Sequence, residues 1–372
     1  MQRFLKDIGA LKAFRCVCGF DGFVDEIVHT VDVRENAETY SRILTLKDYG
    51  RRIMSASGLS LNVEIVPIQR KLGGNGPIFA NALKLYGADI TYIGSVGKDA
   101  VDPVFADFAD GIRIIGVADP AQTDAMEFLD GKIIASKLSS LNEVTWRTIL
   151  DKVSTKELAS FMDEADVISF NNWTMLPYMN EIFRGLLDEV LPKMKSDVSG
   201  KVLFFDLADP EKRTRADKTE AMELIQRFDS FGFRTVLGLN KKEACGIAEL
   251  YGERIEDHLN YSLEALTHFL GDRMKIDCIV VHPVDRAACI TDGEYAEVSG
   301  PYCMNPKLTT GAGDNFNAGF VYGYAQGFSA SSCLRLGVAG SGFYVRNGRS
   351  AMAGEIAVFY DQWMNGQIDE RG

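Results

Sequence analysis

Short, nearly continuous apolar runs alternate with longer amphipathic stretches along most of this chain, and that alternation is what most narrows its fold. FRCVCGF (14–20), ITYIGSV (90–96), DVISF (166–170), KVLFFDL (201–207), RTVLGLN (234–240) and CIVVHP (278–283) read as strands. Between them, IFANALKLYG (78–87), YMNEIFRGLLDEVL (178–191) and KKEACGIAELYG (241–252) carry apolar residues at helical spacing. Strands that are apolar on both faces need cover on both, and intervening helices make successive strands parallel. The expectation is an α/β fold with a mostly parallel central sheet flanked by helices. No internal repeat or low-complexity linker interrupts the pattern, so residues 1–372 read as a single domain.

Two regions break the rhythm. Residues 24–72 carry VDEIVHTVDV, a charged helical patch near TLKDYGRRIM, and LNVEIVPIQRKLGG; residues 112–139 read as short strands, IRIIGVAD, AMEFLDG and KIIASKL. Together they predict a small β-rich appendage at one edge of the sheet. The carboxyl end reads as two helices, CLRLGVAGSGFYVRNG (333–348) and GEIAVFYDQWM (354–364).

A formal net charge of −12 argues against a nucleic-acid partner or an anionic membrane surface. No apolar run approaches the ~20 residues of a membrane span, and MQRFLKDIGALKAF shows no signal-peptide pattern. The 7 cysteines include no Cys-x-x-Cys pair, and Cys16 and Cys18 would share one face of a strand. Such a set reads as reduced thiols in a cytoplasm. His29, His258, His268 and His282 have no metal-ligand spacing and read as structural or exposed.

The stretch TTGAGDNFNAGF (309–320) carries the chemistry. Phe316, Phe320 and Tyr324 follow the helical period, so a helix begins near Asp314. As a plain helix cap, Asp314 would need no stripped loop before it. Amides of Gly311, Ala312 and Gly313 left bare at a helix start would instead hold the terminal phosphate of a nucleotide and the charge that builds there. Asp314 would then accept the proton of an attacking hydroxyl. A carboxylate beside a phosphate calls for a cation, and Mg²⁺ is expected. The chain has no G-x-x-x-x-G-K-[ST] loop, and GAGDNF and GGNGPIF fall short of G-x-G-x-x-G.

GGNGPIFANALKLYGADITYIGSVGKD (73–99) and TTGAGDNFNAGF (309–320) resemble the two signature regions of the ribokinase-like (PfkB) carbohydrate kinases. The resemblance runs in order from GFDGFVDEI to the last helices. It implies a ribokinase-like three-layer sandwich, a β-lid formed by about 24–72 and 112–139, and transfer of phosphate from ATP to a sugar hydroxyl. It also implies Asp314 as catalytic base, Gly311, Ala312 and Gly313 as anion hole, and Thr310 beside the ATP. Asp25 matches the acidic residue that binds substrate hydroxyls, with Asp21 the alternative, and Gly74 and Asn75 match the corner that contacts the sugar.

Asn240 and Glu243 in LNKKEA stand three apart at a strand-to-helix junction. Alone the pair reads as a capping box. Beside the two signatures it resembles the family's N-x-x-E element, which orders Mg²⁺ and phosphate through water. Leu308 stands where the family usually has Asp, which puts a monovalent cation in question, and Ile78 replaces a frequent second Asn. The nucleotide loop reads HPVDRAA (282–288), so His282 and Arg286 occupy places usually held by small residues; Arg286 either reaches phosphate or is solvated. Trp173 either stacks on a sugar or packs in the core.

The expectation is a cytoplasmic, ATP- and Mg²⁺-dependent sugar kinase. A nucleoside kinase of the same fold is the first alternative. A non-catalytic sugar-sensing homologue is the second, against which the retained Asp314 and glycine loop speak. Exposed lid strands have unpaired edges that offer a homodimer contact.

Overall fold

The computed structural model describes residues 13–371, so the reading of residues 1–12 as free of a signal lies outside the described residues. Its strands, numbered along the chain, form two sheets. The large one contains β1 (Arg15–Phe20), β5 (Asp89–Gly94), β6 (Arg113–Gly116), β9 (Val167–Phe170), β10 (Val202–Asp206), β11 (Arg234–Leu239), β12 (Cys278–Val281), β13 (Arg286–Thr291) and β14 (Glu294–Ser299). The small one contains β2 (Phe23–Arg34), β3 (Tyr40–Arg42), β4 (Ile65–Gly73), β7 (Ala121–Phe128) and β8 (Gly131–Lys137).

The large sheet has the order β14-β13-β12-β11-β10-β9-β1-β5-β6. It is parallel from β6 to β12, and β13 and β14 extend it antiparallel. Alternation along β10 shows why both faces are dry. Phe204 stacks on Phe79 of the helix Asn75–Leu85 at 5.1 Å, while Phe205 turns to the opposite face against Phe183 and Phe228. The helices Asn75–Leu85, Ala312–Ala325 and Ala330–Asn347 cover the first face, and Arg215–Asp229, Lys241–Leu250 and Leu263–Met274 the second. This is the mostly parallel sheet flanked by helices read from the alternation, and the three-layer sandwich that the resemblance implies.

Several elements depart from the sequence reading. The IRIIG stretch was expected in the small sheet, yet β6 pairs parallel with β5 at the edge of the large one. Its pattern fits either sheet; the partner was decided by the path of the chain through the short helix Ala106–Ala109. HPVDRAA is loop only up to Asp285, because β13 begins at Arg286. The helix from Met179 passes into a π-helical turn at Leu186–Val190 and a 3₁₀ turn at Leu191–Lys193, where Pro192 lacks the N–H that would continue it.

In the small sheet, β2 pairs with β3, β4 and β7, and β7 forms a hairpin with β8. Ile43, Tyr49 and Phe128 pin the helix Leu46–Ser55 onto it. Cys16 and Cys18 do share a face, with sulfurs 3.2 Å apart, and all the cysteines are free. Among the described residues no helix is long and apolar enough to cross a membrane.

Candidate active site

In an open parallel sheet, ligands gather beyond the carboxyl ends of the strands. Asp21, Asn172, Asp206, Asn240 and His282 lie at or just past the carboxyl ends of β1, β9, β10, β11 and β12.

Asp21 faces the protein. The helix Asn75–Leu85 has no side-chain cap of its own, and Gly74 before it has φ 95°. Asp21 supplies the missing acceptor: Asn75 N and Gly76 N donate to its carboxylate at 2.9 and 2.8 Å, and Asn172 Nδ2 at 2.7 Å. Gly76 has to be glycine, since a Cβ would stand 2.3 Å from Tyr92 Oη and 2.6 Å from Asp21 Oδ1. Burial pushes the Asp21 carboxyl up to about 6, against the pull of these donors.

Asp25 faces a cavity. With Asn75, Thr123, Thr310, Gly311 and Asp314 it lines a space of about 170 Å³ between the small sheet and the large one. Gly73 makes room for it, because a Cβ there would lie 2.3 Å from Asp25 Cγ. Burial raises the Asp25 carboxyl, and Lys71, Thr123 and Lys132 oppose the rise. Of the two acidic candidates, Asp25 is therefore the one exposed to this cavity, and Asp21 holds its wall.

Asp314 lies in the first turn of the helix Ala312–Ala325. Gly311 before it has φ 98°, and Tyr344 Oη, which donates to Thr310 O at 2.7 Å, fills the space a Cβ would need. Ala312 N donates to Thr309 O at 3.1 Å, so this amide is taken up by a turn rather than left bare. Among the described residues no hydrogen bond takes up the N–H of Gly311 or Gly313. The Asp314 carboxylate is 5% exposed and accepts from Asn75 Nδ2 at 2.9 Å. Burial pushes it well above the usual carboxylate range; the Asn75 bond opposes this, and Asp21, Glu243 and Asp25 add to it.

Across the same loop lies a second cavity of about 330 Å³, lined by Asn240, His282, Arg286, Thr309, Ala312 and Gly313 among others. Thr309 faces this side and Thr310 the other, so Thr310 lies apart from the cavity in which it was expected. The His282 ring packs 4.7 Å from Phe316, and burial lowers its pKa to about 4, so it is neutral. Arg286 is exposed on the rim and paired with Asp285 at 3.0 Å and Glu297 at 3.4 Å, the solvated reading. Trp173 is buried, donates to Asn180 Oδ1 at 2.6 Å and carries Arg213 on its ring at 4.4 Å, which makes it core.

Asn240 and Glu243 form the capping box: Glu243 N donates to Asn240 Oδ1 at 3.0 Å and Asn240 N to Glu243 Oε2 at 2.8 Å. Asp209 N donates to the other Glu243 oxygen at 2.8 Å. Nearby, Asp206 accepts from Asn317 Nδ2 at 2.9 Å. Burial raises its carboxyl strongly, and Glu243, Asp314 and Asp21 add to the rise. Asp206 was missed in the sequence, although one acid closing an otherwise apolar strand was its signal. Lys71 and Lys132 were missed without any signal. They come from the small sheet and reach Asp25 only through its pairing.

The family model of prokaryotic ketohexokinase matches residues 7–363 of this chain. The chain is 27% identical over 353 residues to a ketohexokinase of Haloferax volcanii, covering 94% of this chain and 92% of that one. It is 26% identical over 257 residues to an uncharacterized sugar kinase of Archaeoglobus fulgidus, covering 68% and 90%. Among solved structures it resembles Arabidopsis thaliana ribokinase complexed with ribose and ATP, with a TM-score of 0.65, 16% identity and coverage of 94% and 99%. It also resembles a Burkholderia thailandensis nucleoside kinase in complex with inosine, at 0.60, 15%, 94% and 98%. At such identities these last two speak to the fold alone, which is the ribokinase fold. The extent of the family match decides the rest: the chain belongs to the prokaryotic ketohexokinase family and is a carbohydrate kinase.

Proposed function

We propose that this chain transfers the γ-phosphoryl group of ATP to a hydroxyl of a ketohexose, with Asp314 as general base. The carrying observation is that two cavities meet at residues 311–314, with Asp25, Asn75 and Asp314 on one side and Asn240, His282 and Gly313 on the other. A sugar in the first presents a hydroxyl to a nucleotide in the second.

Asp25 and Asn75 orient the sugar. Asp314 takes the proton as the sugar oxygen bonds to phosphorus and the bond to the ADP oxygen breaks. The N–H groups of Gly311 and Gly313 stabilise the charge that develops on the transferred group. His282 forms one wall of the nucleotide site, and Arg286 stays on its rim.

Mg²⁺ fits the donor set. Asp206, Glu243 and Asp314 are buried carboxylates; Glu243 and Asp314 push Asp206 up and Glu243 pushes Asp314 up, crowding that a divalent cation relieves. Among the described residues no group of three or more His, Cys, Asp or Glu could hold a metal alone. Glu243 and Asn240 would therefore hold the ion through water, with phosphate oxygens completing its shell. The ion would neutralise phosphate charge.

The chain is read as one kinase domain, with the small sheet as a lid that excludes water. Ile53, Met54, Leu59, Ile65 and Ile68 are exposed on or beside that sheet, which supports a homodimer through it. The free cysteines fit a reducing cytoplasm.

A coupled ADP-release assay over ketohexoses, aldohexoses, pentoses and nucleosides tests the activity. ADP formation dependent on a ketohexose is expected, and turnover confined to nucleosides would overturn the assignment. Light scattering that shows a monomer at high concentration would remove the dimer alone.

A further inference from the structure

Lys132 is the second residue of β8, and its ammonium reaches out of the small sheet onto the loop before the helix Ala312–Ala325. Nζ donates to Thr309 Oγ1 at 2.7 Å and also to Thr310 Oγ1. These two threonines face different cavities, Thr309 the nucleotide side and Thr310 the sugar side. The ammonium is therefore held on the two residues that precede Gly311 in the chain, one facing each cavity.

Its tether is braced. Leu46 N donates to Asp130 Oδ1 at 2.6 Å, and Leu129 N to Leu44 O at 2.8 Å, which tie the turn to the helix Leu46–Ser55. Gly131 packs so closely that a Cβ would meet Leu46 Cδ1 at 2.6 Å. A side chain on such a turn is held in place rather than swept through solvent.

The charge has no direct partner. Lys132 is half-buried, and among the described residues its hydrogen bonds go to neutral hydroxyls while no carboxylate forms an ion pair with it. Glu127, Lys71 and Asp25 act on it only from farther away, and burial lowers its pKa. A partly desolvated cation that faces neutral acceptors lacks a counter-ion. The anion that this position would meet is the phosphoryl group in transit, whose charge spreads over its equatorial oxygens.

We propose that Lys132 is a catalytic residue, its ammonium binding the phosphoryl group as it passes from the nucleotide cavity to the sugar cavity. The proposal rests on the reading of the site given above. Lys132 keeps its protons throughout. The new bond joins the sugar oxygen to phosphorus, the broken bond frees ADP, and the hydroxyl proton goes to Asp314.

The test uses the full chain with Lys132→Met, Lys132→Gln and Lys132→Arg. Lys132→Met is expected to lower kcat on the order of 10²–10³-fold, the usual cost of one lost donor to developing charge, with the sugar KM little changed. Lys132→Gln keeps a neutral hydrogen-bond donor, one bond shorter, without the charge, and it is expected to fall equally. Lys132→Arg restores much of the rate. Apart from turnover, ADP with Mg²⁺ and aluminium fluoride, a mimic of the transferring group, should raise the wild-type melting temperature well above ADP with Mg²⁺ alone. That increment should vanish in Lys132→Met and Lys132→Gln.

Wild-type kcat in Lys132→Met, full rescue by Lys132→Gln, or an undiminished aluminium fluoride increment would each overturn the proposal. The first two would show that Lys132 only fastens the small sheet to the loop. Failure of the underlying reading looks different: Asp314→Asn would keep its turnover whatever Lys132 does.

Discussion

Asn75 donates its side-chain amide to Asp314 Oδ1 over 2.9 Å, joining residues 239 apart in the chain. Each lies in the first turn of its helix, so the bond links the two helix starts that flank the loop at residue 311. It is also a hydrogen bond to the charged form of Asp314, and it opposes the upward push of burial on that carboxyl.

A base acts deprotonated, so kcat/KM should be lost as pH falls through the raised Asp314 value, above the usual carboxylate range. Asn75→Ala removes a donor that favours the carboxylate. It should move this acid limb to higher pH and lower kcat/KM along the limb. A pH–rate profile checks it, and an unmoved limb would mean that the bond is only structural.

Asp314→Asn should lower kcat on the order of 10²–10⁴-fold, the usual contribution of a positioned base. Its melting temperature should not fall, since the substitution removes a buried charge. Wild-type turnover, measured where chemistry limits the rate, would dismiss Asp314 as the base.

Asp25 and Asp21 should fail in different ways. Asp25→Ala should raise the sugar KM at least tenfold and leave the fold intact. Asp21→Ala strands the amides of Asn75 and Gly76 and should destabilise by about 1–3 kcal/mol per orphaned donor. Paired urea titrations and sugar saturation curves distinguish the two.

Asp21 also predicts a pH dependence of stability. Its carboxyl titrates near 6 in the fold, against an ordinary 3.8, so the folded state binds more protons between these values. Its contribution is most favourable below the unfolded value and is lost as pH rises through the folded one. Asp21→Asn should flatten the fall in stability between pH 4 and about 6, read from urea midpoints at each pH. An unchanged slope would show that other carboxyls carry it.

Gly311→Ala places a side chain at φ 98° and 2.7 Å from Tyr344 Oη. It should cost about 1–3 kcal/mol and lower kcat by displacing the loop. Tyr344→Phe in the same chain should relieve the contact but not the backbone strain, so thermal melts would recover only in part.

Much of the candidate site's local structure was legible beforehand because its signals are local. Gly74 and Gly311 mark helix starts whose backbone has positive φ, and Asp314 follows within the same turn. Asn240 and Glu243 were recognisable as a spaced pair, though spacing could not separate a capping box from a metal element, and the box is what the hydrogen bonds form. Asp21 and Asp25 were both read near the first strand without a way to rank them. The ranking came from the amides of Asn75 and Gly76 turning one carboxylate into the wall and from Gly73 opening space for the other.

Short stretches carried the layered α/β plan and the helix start after the glycine loop at 311–313, because strand burial, helical period and glycine conformation are local properties. The folded chain was needed to show that β6 joins the large sheet, that Thr309 and Thr310 face different cavities, and that Lys132 bonds both threonines. Those facts depend on which strands pair and where a distant hairpin lands. No local pattern encodes a partner more than a hundred residues away.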